Sequence, residues 1–475
     1  MSIENSDPKL EKLEKFSKRS DILKLHAQAH AREILKELNA PEKEWPIFQK
    51  DLDIRLTYAA HYQIWKGLQL LEANKHRKQA KEILVKGAEA LEFLHKDVKP
   101  NVILRDDELL KASLTYYISG HYARSYVLMK EIFNTSKKLS EYLGLIVAIL
   151  KKDFKNAYLI ILDTFTRNDF TDDTITNELT KGNLSDDVAI SRILFHSLCR
   201  VVLFYLEYIK TGDLQLLEHA LHILDNSLIV AKDMQFVDWW WLLFSLQFFF
   251  KEYRKNSLWN QMQSFTNNED TTDIVKRYIR RGLRETPPVI DLWPSQVHAI
   301  PMINDTNRRP FCLKMPTSSG KTRIAELTIL RFFFDKLSNP NRKCVYIAPF
   351  RSLAVEIEKT LRNSFASLEF KVSEIYGGFE LTPVERRLIQ DTQILVATPE
   401  KFDALIRYMP EIEEDIGLVI IDEGHIVDPN ERGLRFEFFL HRLLQRYKGR
   451  DCRFLFISAV LPNAKEFAEW ITGSP

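Results

Sequence analysis

The sequence predicts an α/β domain with a parallel, doubly wound sheet, preceded by an all-α region. Between residues 21 and 255, apolar residues recur at helical spacing and strand signals are few. After about residue 290, short β-branched runs alternate with helical segments, as in a parallel sheet covered by helices. A strand, a tight loop and a helix are also indicated around residues 311–334, which is the setting of a phosphate-binding loop.

The all-α region shows weak internal similarity. Residues 1–20 are charged and we expect them to be flexible. Turn residues precede apolar helical runs at Gly120, Asp153 and Gly212. Small residues fall where two helices would cross, at Ala80, Ser125, Ala157 and Ala220. The pattern resembles tetratricopeptide-like repeats, but its spacing is irregular, so an irregular helical bundle is the alternative.

Composition limits the function classes. A chain of 475 residues is long enough for two or three domains. The net charge of +2 excludes a generally basic protein, so any nucleic acid must bind in a local groove. The four cysteines are widely separated, which favours neither a zinc site nor disulfides and indicates a reducing, cytoplasmic compartment.

The most apolar stretch, Phe236 to Phe250, is interrupted by Asp238, Ser245 and Gln247. It is shorter than the roughly 20 apolar residues that a membrane span needs. We therefore expect a buried helix here and no membrane association. The polar N-terminus has none of the features of a signal peptide.

Residues 256–290 are expected to be a linker that carries a basic helix. Its arginines share one helical face: Arg277, Arg280, Arg281 and Arg284. That face is able to touch phosphates, although a solvated charged face is the commoner explanation. Pro287 and Pro288 then end the helix.

The α/β domain is expected over residues 291–475. Its candidate strands are Phe311 to Met315, Lys343 to Ala348, Phe370 to Ile375, Ile394 to Ala397, Leu418 to Asp422 and Arg453 to Ser458. Ligands bind parallel sheets of this kind at the carboxyl ends of the strands. The motifs that follow all lie at those ends.

The first motif is the stretch from Met315 to Thr322, Met-Pro-Thr-Ser-Ser-Gly-Lys-Thr. Backbone N–H groups and the positive helix end face an anion there. Lys321 supplies a charge for the β and γ phosphates, and Thr322 a hydroxyl for Mg²⁺. The strict pattern has Gly in place of Met315, so taken alone the stretch also fits an ordinary polar helix N-terminus.

The second motif is Asp422-Glu423 at the end of an apolar strand. A carboxylate opposite a phosphate loop is able to hold Mg²⁺, and its neighbour to activate water. We assign Asp422 to Mg²⁺ and Glu423 to the role of general base. Together with Lys321 they predict an ATP-hydrolysing site.

With both motifs present, residues 292–470 resemble the first RecA-like domain of a superfamily-two DExH helicase of the superkiller-like branch. The resemblance implies ATP and Mg²⁺ as ligands and a Q motif in which Gln296 reads the adenine edge. It implies that the whole loop binds nucleotide, namely Met315, Pro316, Thr317, Ser318, Ser319, Gly320, Lys321 and Thr322.

The remaining family motifs also occur in order. The resemblance implies nucleic-acid contacts at Pro349, Arg351, Ser352, Gly377, Gly378, Thr398 and Pro399. It implies coupling of ATP state to strand grip by His425, Ser458, Ala459 and Val460. The family usually has Thr in place of Val460, so one hydrogen bond of the coupling motif is missing.

The resemblance implies an ATP-dependent helicase or translocase on single-stranded DNA or RNA, in bacterial defence or repair. The helical region would recruit a protein partner. Family members carry a second RecA-like domain with an arginine finger, which these 475 residues do not include. We therefore expect a fragment of a longer protein, or a natural truncation, that alone has weak activity or none. The alternative is a nucleotide-switched binding module that hydrolyses little ATP.

Overall fold

The protein divides into two compact units, Met1–Lys255 and Asn256–Pro475. The computed structural model describes residues 20–74, 76–97, 104–135, 140–167, 185–266, 268–305, 310–316, 320–335, 341–375, 382–423, 431–459 and 469. Each unit is described by itself.

Every element that the structure describes in the first unit is helical, which confirms the all-α prediction. The α-helices are α1 (Ser20–Glu37), α2 (Leu52–Glu72), α3 (Arg77–Asp97), α4 (Leu104–Ser119), α5 (Tyr122–Thr135), α6 (Glu141–Leu150), α7 (Phe154–Thr166), α8 (Asp186–Thr211), α9 (Leu214–Asp233) and α10 (Val237–Asn256). A short 3₁₀ helix covers Glu42–Glu44.

The helices of this unit pack mainly against their neighbours in the chain. Helices α2 and α3 approach closely at Gly67, where an added Cβ would lie 2.5 Å from Leu84 Cγ. The small residues expected at helix crossings, Ala80, Ser125, Ala157 and Ala220, are all buried. Packing between consecutive helices is the arrangement of stacked helical hairpins.

The turn residues singled out in the sequence have local structural roles. Gly120 and Gly212 adopt positive φ angles of 94° and 77°, which side chains disfavour. The Asp153 carboxylate accepts a hydrogen bond from Asn156 N, and that of Asp213 from Gln215 N. Both are N-caps, which explains why α7 and α9 begin where they do.

The most apolar stretch, Phe236 to Phe250, forms most of α10, and Leu242 to Leu246 and Phe248 to Phe250 are buried. Among the helices that the structure describes, α8 is the one that matches a membrane span in length and composition. The interior helix of a globular protein passes the same test, and 44% of the apolar window of α8 is buried.

The second unit contains a six-stranded sheet in which every pairing is parallel. The strands are β1 (Phe311–Lys314), β2 (Lys343–Ile347), β3 (Val372–Glu374), β4 (Ile394–Ala397), β5 (Ile416–Ile421) and β6 (Arg453–Ser458). Their order is β1-β6-β5-β2-β4-β3. All six predicted strands are present, and their ends agree within two residues.

Helices cover both faces of the sheet. They are α11 (Leu258–Met262), α12 (Glu269–Gly282), α13 (Pro294–Ile303), α14 (Lys321–Asp335), α15 (Arg351–Phe365), α16 (Pro383–Asp391), α17 (Pro399–Tyr408) and α18 (Glu431–Arg446). Two apolar clusters take alternate strand residues: one joins the sheet to α12–α15, the other to α16–α18. This is the doubly wound arrangement that the sequence predicts.

Residues 256–290, expected to be a linker, lie in the second unit, and α12 packs into its core. Ile274, Val275, Tyr278 and Ile279 belong to the same apolar cluster as the sheet. The predicted basic face is divided. Arg277 pairs with Asp273 and Glu369, and Arg281 with Glu285, whereas Arg280 and Arg284 are exposed.

Candidate ATP and nucleic-acid site

The strand order separates the predicted motifs into two halves of one sheet edge. Strands β1, β6 and β5 lead into the phosphate-loop residues, Ser458-Ala459 and Asp422-Glu423. Strands β2, β4 and β3 lead into residues 349–352, residues 398–399 and the segment with Gly377 and Gly378. We call the first group the nucleotide half and the second the strand half.

The phosphate loop joins β1 to α14. Met315 is buried, and its N–H donates to Ser458 O at 3.0 Å, which ties the start of the loop to the end of β6. Pro316 is exposed, whereas Thr317, Ser318 and Ser319 lie outside the described residues. Gly320 has a φ of +75° immediately before α14 begins at Lys321. Glycine adopts that left-handed conformation without strain, and the N-terminus of α14 that follows favours an anion.

Gln296 closes one side of this loop. Its side chain is 5% exposed, its Oε1 accepts from Trp293 N at 2.8 Å, and its Nε2 donates to Gly320 O at 3.1 Å. A Cβ on residue 320 would lie 2.2 Å from Gln296 Nε2. The structure thus gives Gln296 an internal role that the sequence did not predict: it fixes the last residue of the loop.

Lys321 and Glu423 meet in the centre of the nucleotide half. Lys321 Nζ donates to Glu423 Oε1 at 2.7 Å, across 102 residues of sequence. Glu423 has a φ of +50°, a strained conformation for a residue with a side chain. Its N–H donates to Asp422 Oδ1 at 2.8 Å. The predicted catalytic lysine and general base are therefore neighbours.

Asp422 is buried at the end of β5, and a tyrosine holds its carboxylate. Tyr346 in β2 donates its hydroxyl to Asp422 Oδ2 at 2.7 Å. Burial raises the pKa of Asp422, while the hydrogen bonds from Tyr346 and from Glu423 N partly oppose that rise. Burial beside this carboxylate raises the pKa of Tyr346 well above its usual value, so the phenol stays a donor.

The residues present fit a nucleotide with Mg²⁺. The lack of a side chain at Gly320 leaves room for the Gln296 amide against the end of the loop, Lys321 supplies the positive charge, and Asp422 supplies a fixed carboxylate. Thr322 is partly exposed in the first turn of α14. Within the described part of the chain, no group of three His, Cys, Asp or Glu residues could hold a metal by itself. Mg²⁺ commonly uses one or two carboxylates together with substrate phosphates, so this ligand set suits it.

The strand half is built differently. Arg351 and Ser352 are exposed in the first turn of α15, while the preceding Pro349 is buried. Thr398 is buried and caps α17, whose first residue is Pro399; its Oγ1 accepts from Lys401 N at 3.4 Å. Two helix N-termini thus lie at this edge and favour phosphate groups. Gly377, Gly378, His425 and Val460 lie outside the described residues.

Comparison with known proteins identifies this arrangement. The family model of the DEAD/DEAH box helicases matches residues 293–467, from the Q-motif helix to beyond β6. This part of the chain is similar to the superfamily-two helicases. Its resemblance to the superkiller-like branch, stated from the motifs, is confirmed by the relatives.

A bacterial relative matches nearly the full length of this chain. The Hachiman protein HamB of Bacillus cereus is 30% identical over 99% of this chain, which covers 40% of HamB. The ATP-dependent DNA helicase Hel308 of Thermococcus kodakarensis is 31% identical over 42% of this chain and 16% of the relative. Activating signal cointegrator 1 complex subunit 3 of Dictyostelium discoideum is 36% identical over 34% of this chain and 8% of the relative. The chain therefore spans less than half the length of these relatives.

One residue of the candidate site, Tyr346, was not predicted from the sequence. It lies in the apolar run of β2 and resembles another core residue. A signal was present, because a phenol in a fully buried strand needs a hydrogen-bond partner. The sequence did not show that this partner is Asp422, 76 residues away.

Proposed function

We propose that the protein containing this chain is an ATP-dependent helicase or translocase that moves on single-stranded nucleic acid. The observation that carries the proposal is the Lys321–Glu423 contact of 2.7 Å beside the buried Asp422. A phosphate-binding lysine, a base and a metal-binding carboxylate are the groups that ATP hydrolysis requires.

In this proposal the residues of the nucleotide half divide the work. The loop from Met315 to Thr322 binds the phosphates, and Gln296 adds a contact to the base. Thr322 and Asp422 would hold Mg²⁺, which would supply positive charge to the bound phosphates. Lys321 turns from Glu423 toward the γ phosphate, because a triphosphate offers it more negative charge than one carboxylate. Glu423 is then available to accept a proton from the attacking water.

The strand half is proposed to bind the nucleic-acid backbone. Arg351 and Ser352 contact phosphates, as do the helix N-termini at residues 349–352 and 398–399, together with Gly377 and Gly378. His425, Ser458, Ala459 and Val460 couple the two halves. Met315 N bonded to Ser458 O supports this, since it links the loop to that motif directly. Relatives named as DNA helicases favour DNA over RNA as the strand.

The proposal is tested by ATP turnover of the full-length protein with and without single-stranded DNA or RNA of equal length. We expect stimulation by a strand, and DNA to be the better one. Glu423→Gln should lower turnover by about 10²- to 10⁴-fold, and Lys321→Ala should abolish it. Turnover that neither substitution changes would refute the assignment of the site.

Other parts of the proposal concern the whole protein. We propose that a second RecA-like domain supplies an arginine finger, which is worth about 10³ to 10⁵ in rate in related enzymes. The chain alone should then bind ATP weakly and unwind nothing. The helical unit is proposed to recruit a protein partner in bacterial defence or repair in the cytoplasm. HamB supports a shared role for that unit, because its similarity runs through the helices as well.

The second candidate is a nucleotide-switched binding module with little hydrolysis. It is favoured by the departure from the family at Val460, which removes a hydroxyl from the coupling motif. Strand-stimulated turnover excludes this candidate. Tight binding of ATP and strand without turnover supports it.

A further inference from the structure

A cluster of polar side chains packs around helix α14 and lies outside the residues assigned to ATP or to the strand. Its centre is Glu326 in α14, which is 3% exposed. Glu326 Oε2 accepts from Arg323 Nη1 and from the Tyr278 hydroxyl, both at 2.7 Å. The Ser364 hydroxyl donates to Glu326 Oε1. With Glu285 and Arg281, these residues form what we call the Glu326 cluster.

Charges in the cluster balance each other. Arg323 Nη2 contacts both Glu285 oxygens, at 3.2 and 3.1 Å, and its Nη1 also donates to Tyr278 OH at 2.8 Å. Arg281 Nη1 lies 3.2 Å from the same Glu285. Two arginines thus face two glutamates. Loss of a partner would leave the buried Glu326 carboxylate uncompensated, so the geometry around it is strongly determined.

The cluster joins three helices, two of which carry predicted motifs. Tyr278 belongs to α12, Arg323 and Glu326 to α14, and Ser364 to the last turn of α15. Helix α14 begins with Lys321 and Thr322 of the nucleotide half. Helix α15 begins with Arg351 and Ser352 of the strand half. One carboxylate therefore receives hydrogen bonds from both motif-bearing helices and from the former linker segment.

We propose that the Glu326 cluster couples the nucleotide half to the strand half, with Arg323, Glu326 and Ser364 as positioning residues. A shift of α14 when Lys321 leaves Glu423 for a phosphate moves Glu326, and Glu326 moves α15 through Ser364. The inference rests on the proposed function of the two halves. Coupling through this cluster does not require the threonine hydroxyl that Val460 lacks.

The test measures coupling as a ratio of affinities in the full-length protein. Binding of a fluorescein-labelled single strand is titrated with and without a non-hydrolysable ATP analogue and Mg²⁺. Ser364→Ala and Tyr278→Phe each remove one donor to Glu326. We expect the ratio of the two strand affinities to fall about threefold or more toward one, the size that changes along a coupling network produce. Strand affinity without nucleotide should stay near the wild-type value.

Two matched variants remove hydroxyls from the same helices outside the cluster. Thr328 in α14 donates only to Ile324 O, and Thr360 in α15 donates only to Glu356 O, within the described contacts. Thr328→Val and Thr360→Val should leave the ratio unchanged. Tyr278→Phe keeps the ring and decides the question if Ser364→Ala fails to fold.

An unchanged ratio in Tyr278→Phe overturns the proposal. A parallel loss of strand affinity with and without nucleotide also overturns it, since that is the signature of a purely structural role. If the wild type itself shows a ratio of one, the proposed coupling of ATP to strand binding fails and this inference fails with it. If the wild type is coupled but the variants keep its ratio, only this inference fails.

Discussion

The two halves of the sheet edge differ in how their charged side chains are buried and paired. In the nucleotide half, the charged groups are enclosed and already paired within the chain: Lys321 with Glu423, and Asp422 with Tyr346. In the strand half, Arg351 and Ser352 are exposed, and the buried residues Pro349 and Thr398 shape helix starts.

This difference follows from what each half is proposed to hold. A small triphosphate must meet groups whose positions are fixed in advance, because catalysis depends on geometry within fractions of an ångström. A nucleic-acid backbone repeats along its length and is held by charge, so exposed cations and helix N-termini suffice. Substitutions in the nucleotide half should therefore lower ligand affinity far more than substitutions in the strand half.

The largest effect is expected at Gly320. Gly320→Ala combines a left-handed φ of +75° with a Cβ that would lie 2.2 Å from Gln296 Nε2, so Gln296 must leave the loop. The left-handed conformation alone costs about 1–2 kcal/mol. We expect ATP affinity, measured by titration with a fluorescent ATP analogue, to fall at least about tenfold, since about 1.4 kcal/mol corresponds to a factor of ten.

Gly449→Ala is the control for φ strain outside the phosphate loop. Gly449 has a similar φ of +79°, but nothing lies within 4 Å of its added Cβ. Its substitution should lower the free energy of unfolding through φ strain and leave ATP affinity unchanged. Equal loss of affinity in both variants would show that a general loss of stability, and not the local geometry of the loop, lowers ATP affinity.

A smaller effect is expected from Tyr346→Phe. Asp422 would lose the donor to Oδ2, and the requirement for Mg²⁺ in ATP binding should rise about tenfold, the low end for lost partners of metal ligands. The pKa of Asp422 is raised by burial and partly lowered again by Tyr346, so it should rise further. A carboxylate with a higher pKa stays protonated to higher pH. The acid limb of the activity profile should therefore move to higher pH.

Tyr447→Phe is the control for this change. The Tyr447 hydroxyl is buried, and no hydrogen-bond partner for it occurs among the described residues. Its removal should change neither the Mg²⁺ requirement nor the acid limb. An unshifted profile in Tyr346→Phe, measured between the same pH limits, would contradict the role of the phenol.

Much of the α/β fold could be predicted because buried parallel strands have simple sequence signals. Continuous apolar runs such as Ile394–Ala397 and Arg453–Ser458 have the predicted limits. The sheet order could not be predicted, since it depends on which apolar faces pack together. The separation into nucleotide and strand halves became visible only with the order β1-β6-β5-β2-β4-β3.

Within residues 256–290, helix α12 carries two sequence patterns. Its arginines predict a charged face and were the basis for expecting a basic helix. Its apolar residues have the helical spacing of a buried face, namely Ile274, Val275, Tyr278 and Ile279. Long-range pairs had no comparable signal. Gln296 with Gly320 and Tyr346 with Asp422 are 24 and 76 residues apart, and only the folded chain brings them together.

The smallest effect is expected in the strand half. Arg351→Ala removes one exposed charge from the start of α15, and strand affinity should fall only a few-fold. If Arg351 contacts a phosphate, the slope of log affinity against log salt should decrease by about one. Arg407→Ala removes one positive charge from the last turn of α17, at the end away from Pro399, and should leave the slope unchanged. A loss of affinity without a change of slope would mean that Arg351 stabilises the helix start rather than binds a phosphate, and the contrast between the two halves would then rest on the helix N-termini alone.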